Sequence, residues 1–134
     1  MASYFTVTTA NEALPKVIEK YNRLQKQRQE VQKIEAQLNA QMAVSFNLGE
    51  YVAIKQRLNA AVTKFYQLVE DLENTGVVLK SLEEGLLDFP SKRFNEDVWL
   101  CWKEGEKEIK FWHEKDVGFM GRKPIEIEDL RDLV

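Results

Sequence analysis

Leu72-Glu73-Asn74-Thr75-Gly76-Val77-Val78-Leu79-Lys80 is where the chain changes rhythm. Upstream, Tyr51, Ile54, Leu58, Ala61, Phe65, Leu68 and Leu72 advance in steps of three and four, the spacing of one helical face. Val62 and Val69 widen that face, and the spacing predicts a helix from about Glu50 to Asn74. Gly76 stands where a left-handed residue ends a helix. Downstream the period falls to two. Val77–Lys80 reads as a strand, and Gly85-Leu86-Leu87-Asp88-Phe89-Pro90 as a second extended piece. Asp97–Lys103, with Val98-Trp99-Leu100-Cys101-Trp102, is the strongest strand pattern in the chain. Glu104-Gly105-Glu106 forms a turn, and Ile109-Lys110-Phe111-Trp112-His113 returns antiparallel to it. Gly118-Phe119-Met120-Gly121-Arg122 is a glycine-flanked loop, and Pro124–Val134 reads as a final strand and acidic tail.

A second helix precedes the first stripe. Thr8 or Thr9 can cap it, Thr9 and Glu12 have capping-box spacing, and Phe5 can pack back on the first turn. Pro15 predicts a short first turn with a kink near Leu14-Pro15. From Lys16 to about Met42 there is neither Gly nor Pro, and Val17, Tyr21, Leu24, Val31, Ile34 and Leu38 form a narrow, coiled-coil-like seam that Arg28 interrupts. Val44–Glu50, with Asn47 and Gly49, is the break. The fold class is therefore α+β, a long antiparallel helical hairpin followed by a small antiparallel β-sheet module. Residues 1–134 read as one domain, with the hairpin at about 9–75 and the sheet module at about 76–126.

A chain of 134 residues is one domain's worth. Hydrophobic residues at 44% and charged residues at 31% are those of a folded globular protein. The net charge of −3 lacks the basic excess of a phosphate-backbone binder, so a nucleic-acid role is disfavoured. A single cysteine, Cys101, excludes an internal disulfide framework and a multi-cysteine zinc site, and it fits a reducing compartment. The N-terminal residues do not form a signal peptide, and no apolar run approaches the length of a membrane span. The cytoplasm is the expected location.

The polar residues to weigh lie in the sheet half. Asp88, Glu106, His113 and Arg122 are the candidate catalytic set, because a histidine titrates near neutral pH and a carboxylate can orient it. Asp88, Glu106, His113 and Asp116 are the candidate ligands of a divalent metal. No recognised cofactor motif is present. The same residues have plain structural roles open to them: Asp88 as a turn carboxylate, His113 as a hydrogen-bonded sheet histidine, Arg122 as the partner of Glu106 or Asp88. Gly118–Arg122 could also form a nest of amides for an anion, without the strand–loop–helix setting of a phosphate loop. Cys101 reads as a small buried hydrophobe. Trp99 and Trp102 point to opposite faces of one strand. One face therefore covers the helices, and the other meets the C-terminal segment, a second chain or a ligand.

These residues resemble the prokaryotic family catalogued as domain of unknown function 2203. The likeness runs through Phe5-Thr6, Ala10-Asn11-Glu12-Ala13-Leu14-Pro15, Gly76, Lys80 and Gly85–Pro90. It continues through Leu100-Cys101-Trp102, Gly105-Glu106, Trp112-His113, Gly118-Phe119 and Gly121-Arg122. Ser81 stands where an acidic residue is common in that family, and Asn95 where a glycine is common. The resemblance brings no activity with it.

The long hairpin exceeds what one small sheet can cover, and its distal end, near Gln37–Leu58, calls for another partner. A homodimer forming a four-helix bundle is the simplest answer. The sequence thus points first to a small cytoplasmic interaction or scaffold protein that self-associates through its hairpin and offers its sheet to an unidentified protein partner. The alternative is a metal-dependent or acid–base enzyme using the polar cluster of the sheet module.

Overall fold

The computed structural model describes residues 4–127. The order of elements is α1 (Val7–Val44), α2 (Leu48–Glu73), β1 (Val78–Ser81), β2 (Leu86–Arg93), β3 (Glu96–Lys103), β4 (Phe111–Glu114), a 3₁₀ turn at Phe119–Gly121, and β5 (Lys123–Pro124). Two long helices are thus followed by a five-stranded antiparallel sheet of order β1-β2-β3-β4-β5, an α+β fold. Residues 128–134, which include most of the expected final strand and acidic tail, lie outside the described residues.

Each helix begins on a side-chain cap. Thr6 Oγ1 accepts the Thr9 amide at 2.9 Å, and Thr9 Oγ1 accepts the Thr6 amide at 2.8 Å. The reciprocal box therefore pairs Thr6 with Thr9, one turn earlier than the Thr9–Glu12 pairing read from spacing, because a threonine hydroxyl at the third helical position can replace the usual Glu or Gln. α1 includes Pro15 within one helix that runs from Val7 to Val44. Asn47 Oδ1 accepts the Glu50 amide at 3.1 Å and starts α2, so the break shrinks to residues 45–47 and Gly49 falls inside the helix.

The described chain divides into two units. Residues 19–71 form one. Its core is Ile34, Leu38, Leu58 and Ala61, with Val31, Tyr51, Ile54 and Val62 packed against it. Gln27, not Arg28, enters this buried seam, and its side-chain amide donates to the Ala61 carbonyl at 2.8 Å. That bond satisfies a polar group that would otherwise be costly to bury. Lys20 and Asp71 pair at 2.8 Å in the same unit.

The other unit holds residues 4–18 with 72–127. Gly76 turns the chain out of α2 at φ +102, and a Cβ there would lie 3.1 Å from the Phe5 ring. β2 and β3 form a hairpin closed by Phe94 and Asn95 at φ 51 and 65, the double left-handed pair of a tight two-residue turn. Asn accepts that conformation readily, whereas Phe94 must be held in it. Pro90 sits inside β2 without breaking the ladder. Its carbonyl accepts the Phe5 amide at 2.7 Å, so its nitrogen, which points the same way, faces away from β3.

Paired residues of an antiparallel ladder share a face. The register places Leu87, Phe89, Leu100, Trp102 and Trp112 on one side, all buried, and the unit's first helical turns add buried Ala10, Leu14 and Val17. Phe5 meets Phe89 edge-on at 5.1 Å. The opposite side carries Asp88, Trp99, Cys101, Phe111 and His113. Trp99 and Trp102 thus point to opposite faces, as their spacing requires. The second face is met by the segment after β4, whose Val117 and Phe119 side chains help enclose it.

Candidate metal centre

Asp88 on β2 pairs with Cys101 on β3, and Cys101 pairs with Phe111, two residues before His113 on β4. β2 and β4 are two strand spacings apart, about 10 Å. The Asp88 carboxylate and the His113 ring lean toward each other across β3 and meet where Cys101 projects. His113 Nε2 lies 3.1 Å from Asp88 Oδ2 and 3.2 Å from Oδ1. One donor atom each from Asp88, Cys101 and His113 falls within 4.8 Å of the other two. All three side chains are buried, with Asp88 2%, Cys101 1% and His113 4% exposed. They line a cavity of about 240 Å³ together with Lys80, Trp99 and Phe119.

The proton positions follow from the partners. His113 Nδ1 is 2.9 Å from the Glu114 carbonyl, which can only accept, so Nδ1 carries a hydrogen. The Nε2 lone pair and a carboxylate cannot face one another at 3.1 Å without a proton between them, so Asp88 and His113 share one. Burial raises the Asp88 pKa, an effect opposed by His113, by Lys80 and by the hydrogen bond from the Cys101 thiol. Burial also pushes the Cys101 thiol up to about 11, with the Asp88 charge adding to it. The metal-free thiol is therefore protonated at neutral pH and is a poor nucleophile.

Glu106 and Arg122 do not join this cluster. Arg122 Nη2 donates to Glu106 Oε1 at 3.0 Å and to the Cys101 carbonyl at 3.2 Å, and its guanidinium stacks 3.9 Å from the Phe111 ring centroid and 4.7 Å from that of Phe119. Glu106 Oε1 also accepts the Lys103 amide at 2.8 Å, and the Glu106 carbonyl accepts the Trp102 indole N–H at 2.8 Å. The pair ties the β3–β4 turn to the segment before β5. Asp116 lines the same cavity but is exposed and outside the three-residue cluster.

A family model described as "Uncharacterized conserved protein (DUF2203)" matches residues 3–125. The chain belongs to that family. The match includes all three clustered side chains of this DUF2203 member. No curated protein and no solved structure matches the chain.

Of the residues singled out in sequence, the fold brings Asp88 and His113 together. The participant missed was Cys101, which the run Val98–Trp102 disguises as one more apolar strand residue. A signal for Asp88 was present: it is a carboxylate enclosed by Leu86, Leu87 and Phe89, in a strand whose first four residues are all buried. A charge in such a run needs a partner on a neighbouring strand.

Proposed function

We propose that the sheet unit binds one transition-metal ion through Asp88, Cys101 and His113 and acts as a metal-dependent enzyme on a small substrate. The observation that carries this is the convergence of three buried donor side chains of different chemistry at the wall of a cavity. Thiolate, imidazole and carboxylate together suit zinc, whereas magnesium and calcium prefer oxygen alone. In a tetrahedral zinc site, neighbouring donor atoms are about 3.3–3.8 Å apart, so the cluster needs only small side-chain rotations. The Nδ1 bond to Glu114 fixes the tautomer that leaves Nε2 as the ligand, as metal-binding histidines usually have it. Three protein ligands beside a cavity leave a fourth position for water or substrate, the pattern of catalytic rather than structural zinc. A zinc ion held there would supply Lewis acidity and a water acidic enough to ionise near neutral pH. Elemental analysis of the purified protein checks this. About one zinc per chain is expected in the wild type, and much less in His113→Ala and Cys101→Ser that remain folded. Wild-type protein that takes up no transition metal from a zinc-supplemented buffer would end the proposal.

The hairpin supports a second role, self-association. Met42, Val44, Phe46, Leu48 and Val52 are 51%, 86%, 64%, 65% and 42% exposed. Across residues 40–54, Glu50 is the one charged side chain. A nearly uncharged apolar end can meet a copy of itself without like-charge repulsion, so its occupant is a second copy of this chain. Sedimentation equilibrium is expected to show a concentration-dependent dimer that Phe46→Glu with Leu48→Glu converts to a monomer. A wild-type monomer at all concentrations removes this role. Among the described residues, no helix is long and apolar enough to cross a membrane. A reducing compartment such as the cytoplasm suits the free thiol of Cys101.

A further inference from the structure

We infer that the ligand received at this centre is a small oxyanion, a carboxylate or a phosphate group. The inference rests on the metal centre proposed above and adds what the cavity selects.

The charges decide it. A divalent ion held by an aspartate, a thiolate and a neutral imidazole is electrically balanced, so the field inside the cavity comes from its other walls. Among the described residues, those walls include Lys80 and Lys115 and one further acidic residue, Asp116. Lys80 lies over the Trp99 ring at 4.3 Å, a contact that steadies the side chain without cancelling its charge. Lys115 is held only loosely, 4.0 Å from an exposed Asp97. Both can turn toward an incoming anion. Apolar walls from Leu86, Trp99, Val117 and Phe119 lower the local dielectric and concentrate the positive field. A cavity of about 240 Å³ admits a carboxylate or phosphate with little attached carbon. Trp99 and Lys115 also line a neighbouring cavity of about 770 Å³, so the remainder of a larger molecule can continue past them. One anion oxygen would take the open metal position, and the others would accept charge-assisted hydrogen bonds from the two lysines.

Two titrations separate this inference from the metal centre beneath it. The first is calorimetry of the metal-free protein with zinc, for the wild type, Lys80→Gln and Lys115→Gln. The second is calorimetry of each zinc-loaded protein with sodium acetate and with inorganic phosphate, which distinguishes the two sources of oxyanion. All three proteins are expected to take up zinc with similar affinity. The loaded wild type is expected to bind at least one of the two anions, and each lysine substitution to weaken that binding about tenfold. Zinc uptake with no binding of either anion overturns the inference alone, as does anion binding that neither lysine substitution alters. Failure of the wild type to take up zinc overturns the metal centre and the inference with it.

Discussion

Loading the site with zinc should expel a thiol proton at neutral pH. It comes from Cys101, whose thiol burial holds up at about 11 and which must ionise to coordinate. The Nδ1 hydrogen stays on the Glu114 carbonyl and is not released. One thiol proton per ion makes zinc affinity rise about tenfold per pH unit through the neutral range, because each released proton contributes one factor of ten. Calorimetric titrations in buffers of different ionisation enthalpy count the protons directly. Cys101→Ser should release about one proton fewer, with the pH dependence of its weaker binding reduced by about tenfold per unit. Zinc binding by the wild type with no proton release at neutral pH would refute the assignment of Cys101 as a thiolate ligand.

Further consequences concern the metal-free protein. Burial raises the Asp88 pKa above its ordinary 3.8, so the native state holds this proton more tightly than the unfolded chain. The stability it contributes is fully present below pH 3.8 and is lost as pH rises through the raised native value. In urea denaturation, wild type should therefore lose stability relative to Asp88→Asn as pH rises from 3.8, and a difference that stays flat with pH would contradict the inferred burial effect. Arg122→Ala removes a part-buried ion pair and two ring contacts, so it should cost about 1–3 kcal/mol in the same assay and weaken zinc binding only modestly, through the loss of a cation that lowers the Cys101 thiol. A large loss of zinc affinity would instead place Arg122 in the centre itself. Gly121→Ala puts a Cβ 1.8 Å from Val117 Cγ1, so thermal melting should show destabilisation and NMR a displaced Val117 methyl. Unchanged spectra would show that the segment between β4 and β5 is not packed as described.

Much of the fold was legible because periodicity is local. The step from three-and-four spacing to alternation at Gly76 separates α2 from β1, and the Trp99–Trp102 spacing identifies a strand with two apolar faces. Element ends were harder, since caps depend on single hydrogen bonds. Thr6 rather than Thr9 opens α1, and Gly49 lies within α2 because Asn47 caps the helix ahead of it. The site was legible only in part. Asp88, Cys101 and His113 come from three strands, and their meeting depends on the register of two ladders that no local pattern specifies. Glu106 resembled a ligand in sequence because turn carboxylates and metal carboxylates look alike until the partner is seen. Its partners are Arg122 and the Lys103 amide.

The central claim is that Asp88, Cys101 and His113 hold a metal ion, and cobalt substitution tests it by colour. Titrating the metal-free protein with cobalt(II) should give visible bands of tetrahedral strength and a near-ultraviolet thiolate charge-transfer band, both saturating at one equivalent. Cys101→Ser should lose the charge-transfer band. A colourless titration, or bands unchanged in Cys101→Ser, would contradict the account.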